Sequence, residues 1–160
     1  SPHQALERRE LAAALEAAIS ALPDAQKQGL VMRDVEGLPA AEVAEVLGIG
    51  ERAGKSRLHR ARLALRGMLA PFVAGGEAPA PNGSCPDTAR MLSRYLEGEL
   101  DAATCATMEQ HVRGCESCGG VCESLREVLG ACRAYGAEQV PGEVRRAVRS
   151  AVRSAVSGVS

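Results

Sequence analysis

The sequence has no tryptophan, one phenylalanine (Phe72) and two tyrosines (Tyr95, Tyr135). An interior built around aromatic anchors is therefore excluded. Long alternating β-branched runs, the signature of half-buried strands, are also missing. Apolar content is nonetheless ordinary at 46 % and is carried by Ala, Leu and Val, residues of helices and small cores. These features predict an all-α protein with little or no sheet. Nothing approaches the ~20 apolar residues needed to span a bilayer, and no secretory signal is present. Both absences predict a cytoplasmic protein with reduced thiols and no membrane partner. Only His3, His59 and His111 are available as imidazoles, and no nucleophile–base set or phosphate-binding glycine loop appears, so an enzyme is not expected.

Cysteine is also missing from residues 1–84, whereas all six cysteines fall between positions 85 and 132. In a reducing compartment such clustering points to metal or redox chemistry rather than structural disulfides. Acid is missing from residues 52–66, which carry Arg52, Lys55, Arg57, Arg60, Arg62 and Arg66. Residues 73–140 carry ten acids against five arginines. The chain thus divides by charge as well as by cysteine. An acidic module beside a basic one attracts its own neighbour as well as an external ligand.

Residues 71–84 (PFVAGGEAPAPNGS) lack any periodicity and read as a flexible linker. They separate a module over 1–70 from a cysteine-rich module over 85–136. Residues 137–160 form a basic tail, in which Val144, Val148, Val152 and Val156 recur every fourth residue among Arg145, Arg146, Arg149 and Arg153. That pattern predicts an amphipathic helix from about Pro141, able to dock on a partner, on DNA or on the protein itself, or to remain solvated.

Apolar spacing predicts four helices in the first module, near 5–20, 24–35, 40–47 and 52–69. Gly37 ends the second, Pro39 opens the third, and Gly48-Ile49-Gly50 turns between the last two. Those two have helix-turn-helix spacing. Ala44 is small where the helices meet, Gly48 sits where the turn needs positive φ, and Val43, Leu47 and Ile49 supply the apolar inner face. The second helix of such a pair enters the major groove. Here it runs through Arg52, Lys55, Ser56, Arg57, His59, Arg60 and Arg62, whose basic side chains suit phosphates. A plain helical hairpin with a basic solvated face has the same spacing.

The stretch from Leu22 to Gly50 followed by Lys55-Ser56-Arg57-Leu58-His59-Arg60-Ala61-Arg62 resembles region 4 of extracytoplasmic-function (ECF) sigma factors, over roughly residues 15–68. The resemblance implies recognition of the promoter −35 element and contact with core RNA polymerase. It makes Arg52, Lys55, Ser56, Arg57 and Arg60 the DNA-facing candidates. One departure stands out: Ala53-Gly54 replaces the usual small-plus-branched pair before the lysine. Glycine inside a helix costs about 1 kcal/mol relative to alanine, and the apolar anchor is lost, which predicts a loosely seated recognition helix. No region 2 is visible, and the chain begins at Ser1, so it reads as a fragment.

In the cysteine-rich module, helices are predicted over about 87–97, 101–113 and 116–135. His111 ends the second, Cys115 lies in the turn and Cys118 starts the third. With Cys85 upstream they make a Cys3His set, as a tetrahedral structural zinc site requires. Cys105 precedes the turn by nine residues and Cys122 follows it by seven. In an antiparallel hairpin they lie at similar heights, about 10–13 Å from the turn at ~1.5 Å per residue. They form a second candidate thiolate locus, with or without Cys118, suited to Cd(II), Zn(II) or Cu(I). The alternative for Cys105, Cys122 and Cys132 is that they are small buried apolar residues.

The pattern, with Tyr95-Leu96-Glu97-Gly98-Glu99-Leu100 between helices, resembles the zinc-binding anti-sigma (ZAS) domain over about residues 85–125. The resemblance implies Cys85, His111, Cys115 and Cys118 as ligands. Its position behind region 4 resembles CorE-type metal-responsive ECF sigma factors. That implies control of region 4 through an intramolecular contact with the cysteine-rich domain, with Zn(II), Cd(II) or copper as the signal. Two alternatives stay open: an anti-sigma-type interaction module with one constitutive zinc, and a thiol redox switch at Cys115 or Cys118.

Overall fold

A computed structural model describes residues 1–139 and 142–158 of the chain. Among these residues there are eight α-helices and no strand, which makes the fold all-α. α1 (Pro2–Ala21) starts on a capping box in which Ser1 and Gln4 satisfy each other's backbone donors. α2 (Asp24–Leu30) follows Pro23 and passes into one wide π-helical turn over Val31–Val35. The periodic pattern over 24–35 cannot distinguish that turn from regular helix. α3 (Ala40–Leu47) and α4 (Glu51–Leu69) form the helix-turn-helix pair. Gly48 closes α3 at φ 68°, a left-handed conformation that suits a residue without a Cβ.

α5 (Thr88–Leu96) and α6 (Ala102–Gly114) are capped by Asp87 and Asp101, each accepting a backbone N–H three residues on. α7 (Glu116–Gln139) is the longest helix at 24 residues, about 36 Å at 1.5 Å per residue. It runs past the 135 predicted from sequence. α8 (Gly142–Ser157) is the tail helix. Pro141, where the sequence places its start, lies outside the described residues, as do the side chains of Arg145 and Val148.

The length of α7 decides how the two halves relate. Its first half carries Cys118 and Cys122, and one face of it, with Cys122, Leu125 and Leu129, packs with Leu92 of α5 and Val112 of α6. Its second half places Val128 and Cys132 in the first module's core, among Leu15, Leu22, Leu30, Leu58, Leu65 and Leu69. Burying the Val128 side chain alone contributes about 1.5–3 kcal/mol across the junction. The approach is close: a Cβ on Gly136 would run into the Val35 carbonyl of the π-helical turn. The linker expected over 71–84 is also shorter than predicted. Val73 is buried in the first core, and Ala74 donates its N–H to Glu127 at 2.8 Å. Composition alone does not reveal the single apolar residue that anchors a Pro/Gly segment.

A polar layer lies beside this junction. Arg62 of α4 is 2 % exposed. It donates to both Asp34 carboxylate oxygens at 2.7 and 2.9 Å, to the Ser93 hydroxyl at 3.1 Å, and meets Glu97 at 3.1 Å. Arg33 grips Glu97 through Nε at 3.0 Å and Nη2 at 3.4 Å. His59 is held between the Ser93 hydroxyl at 2.5 Å and Glu99 at 2.6 Å. A carboxylate only accepts, so Nε2 carries the ring proton and Nδ1 takes the serine hydroxyl.

Candidate metal centre and nucleic-acid interface

The hairpin of α6 and α7 builds the first centre. His111 is in the last turn of α6, Cys115 lies between the helices, and Cys118 is in the first turn of α7. Cys85 enters just ahead of α5. Their ligating atoms all lie within 4.8 Å of one another. Cys85 Sγ is 3.8 Å from Cys115 Sγ, and His111 Nε2 is 3.3 Å from Cys118 Sγ. Two thiolates bound at 2.3 Å with tetrahedral angles stand about 3.8 Å apart, so the donors present fit a zinc ion.

The two thiols of the CxxC differ. Cys115 is held below the usual thiol range, chiefly by the Cys118 backbone N–H. Burial pushes Cys118 up to about 11. A bound cation would displace the proton from such a thiol, which ties metal affinity to pH.

Cys105 of α6 and Cys122 of α7 stand outside this group. They line one cavity of about 280 Å³ between α5, α6 and α7, together with Met91, Leu92 and Met108. Burial raises the Cys122 thiol. Cys118 belongs to the four-residue group and is fully buried there. Cys132 is a core residue, fully buried with its thiol pushed up to about 12 by burial. Cys132 matches the buried-apolar alternative, and Cys122, buried with Leu92, Leu125 and Leu129, is also consistent with it, whereas Cys105 is only partly buried.

The helix-turn-helix places the DNA candidates unequally. Arg52 and Arg60 are exposed, while Ser56 and Arg57 are partly covered. Lys55 pairs with Glu51 at 3.3 Å and keeps 23 % exposure. Its groove is walled by Ala40 and Ala41 of α3 and by Leu96 and Glu97 at the end of α5. Gly54 sits against Ala44, where a Cβ would meet the Ala44 Cβ at 3.6 Å and Ile49 Cδ1 at 3.7 Å. Space for a methyl group therefore exists at the residue that departs from the family pattern.

Residues 12–65 match the family Sigma-70, region 4, and residues 85–119 match the family named Putative zinc-finger. The chain thus places a segment similar to sigma-70 region 4 ahead of one similar to a zinc finger. It is also 37 % identical over 70 residues to the ECF RNA polymerase sigma factor SigE of Mycolicibacterium smegmatis (strain ATCC 700084 / mc(2)155). That similarity covers 44 % of this chain and 27 % of the relative, so the chain spans about a quarter of the relative's length. No solved structure matches the chain. The matches are to a sigma factor region and a zinc-finger segment, not to an enzyme. Among the described residues, no helix is long and apolar enough to cross a membrane.

Region 4 meets the zinc-finger segment through two residues of the basic string that are not among the DNA-facing candidates, His59 and Arg62. Both are buried, at 3 and 2 % exposure, against Ser93, Glu97 and Glu99. The signal was available in their spacing, because positions 58, 59, 61, 62 and 65 share one buried face of α4. Burial lowers the His59 pKa even though Glu99 opposes the shift. Glu97 is 1 % exposed at its side chain. Burial alone would raise its pKa, but hydrogen bonds and charge from Arg33 and Arg62 win and hold it below the usual carboxylate range.

Proposed function

We propose that this chain is the C-terminal part of a metal-responsive ECF sigma factor. Region 4 recognises the promoter −35 element and contacts core RNA polymerase. Arg52, Lys55, Ser56, Arg57 and Arg60 face the DNA. Cys85, His111, Cys115 and Cys118 hold a structural zinc that fixes the tip of the α6–α7 hairpin. Cys105 and Cys122 are the sensing pair, open to Cd(II), Zn(II) or Cu(I).

The observation that carries this reading is the groove beside Lys55. The end of α5 stands against the amino-terminal end of the recognition helix, with Glu97 in the groove. In this arrangement a carboxylate occupies space beside the residues that meet DNA. The cavity lined by Cys105 and Cys122 lies directly behind α5, which carries Ser93 and leads into Glu97. An ion held by the two thiolates would draw α6 towards α7, and α5 would repack. Its grip on Arg33, His59 and Arg62 would then loosen and free the recognition helix. Metal would activate, the sign that the resemblance to CorE-type factors favours.

The test is promoter-directed transcription by the full-length sigma factor, with and without added Cd(II), Zn(II) or copper. A metal-dependent rise that is lost in Cys105→Ser and Cys122→Ser is expected. Transcription unchanged by all three metals would sink the proposal. An anti-sigma-type module with one constitutive zinc predicts a single tightly held ion and metal-independent DNA binding.

A further inference from the structure

The tail helix α8 is seated on the helix-turn-helix itself. Arg149 donates to the Glu36 carbonyl at 2.8 Å, and Arg153 donates to Glu42 at 2.7 Å. Val152 and Val156 are partly covered, whereas Arg146 is exposed. Glu36 and Glu42 bracket the amino-terminal end of α3. Between them, Ala40 and Ala41 share the groove that holds Lys55 of the recognition helix. α8 therefore lies at the margin of the DNA-reading face.

The first helix of a helix-turn-helix crosses the DNA backbone. In this chain α3 is poorly suited to do so alone, because it carries Glu42 and Glu45 and no basic residue. α8 supplies four arginines against one acid, Glu143. Arg153 pairs with Glu42, one of the two glutamates of α3.

We infer that α8 is a second DNA-binding element, which lays the exposed Arg146 on a backbone phosphate flanking the site read by α4 while Arg149 and Arg153 hold the helix on its seat. It adds affinity without base specificity, since phosphate contacts position a protein and do not read sequence. The inference rests on region 4 binding DNA, and it concerns only the tail.

Fluorescence anisotropy on a labelled random-sequence 25-base-pair duplex, across a salt series, tests it with the full chain. In the Arg146→Gln variant the slope of log affinity against log salt should become shallower by about 1, and binding at 0.1 M salt should weaken by about fivefold. Val152→Ser keeps every arginine but loosens the seat on α3, and should also flatten the slope. Wild-type slope and affinity in both variants overturns the inference and leaves the DNA reading of region 4 intact. Tighter binding by the arginine variant overturns it too, because α8 is then a shield. A flattened slope in the arginine variant alone overturns the seating on α3. If the unaltered chain binds no duplex even at 50 mM salt, the reading of region 4 fails along with the inference.

Discussion

Glu97→Gln removes one charge from the centre of the contact between region 4 and the zinc-finger segment. The side chain is 1 % exposed and receives Arg33 Nε at 3.0 Å, with Arg62 Nη2 3.1 Å away. Glutamine keeps the shape and one acceptor oxygen but no charge. Arg62 retains Asp34, so it is not stranded, whereas Arg33 keeps only the Leu38 carbonyl at 3.3 Å. Breaking a buried pair costs about 3–5 kcal/mol when a partner is left bare, and a hydrogen bond to a charged group contributes about 1.5–3 kcal/mol. Retained shape and the Asp34 bond put Glu97→Gln at about 2–3 kcal/mol. Urea unfolding followed by far-UV circular dichroism measures it, since the chain has no tryptophan to report by fluorescence. A loss below about 0.5 kcal/mol, the range of ordinary surface substitutions, would refute the contact. So would the same loss from Glu97→Gln in wild type and in Arg33→Gln, because coupled neighbours do not add.

Gly54→Ala should stabilise the chain by about 0.5–1 kcal/mol, because the new methyl group meets Ala44 and Ile49 at ordinary contact distances and helix propensity improves; a lower melting temperature would show that the helices are more tightly apposed. Gly136→Ala should do the opposite and cost about 1–3 kcal/mol, since its Cβ collides with the Val35 backbone; an unchanged urea midpoint would contradict that packing. Acid should loosen the contact in two stages. A group whose folded pKa is lowered contributes stability above its unfolded pKa and loses it as pH falls. His59 therefore loses its part on passing below 6.5, and Glu97 loses its part below 4.5. A pH series of unfolding free energies checks this, and His59→Gln should flatten only the upper stage.

The helices were legible because their signals are local. Pro23, Pro39, Gly48, Asp87, Asp101 and Gly114 mark ends that the structure places within about two residues, the usual spread of helix boundaries. The meeting of Cys85, His111, Cys115 and Cys118 was legible for a related reason, since three of them sit on one tight hairpin. What sequence did not show was how the halves meet. Periodicity says that α7 has an apolar face, not that its second half buries Val128 and Cys132 in another module's core. Nor does a basic residue declare its direction: Arg60 is exposed and Arg62 buried on the same helix, because only Arg62 faces Asp34 and Ser93.

The central claim is that metal at the cysteine-rich half governs DNA access at region 4. The most direct measurement is the affinity of this chain for a duplex that it selects from a random pool, before and after addition of Cd(II) or Zn(II) to the zinc-loaded protein. Affinity should rise at least about tenfold, equivalent to about 1.4 kcal/mol of coupling. The rise should vanish in Cys105→Ser/Cys122→Ser while the zinc already bound stays in place. Equal affinity with and without the added metal would contradict the account.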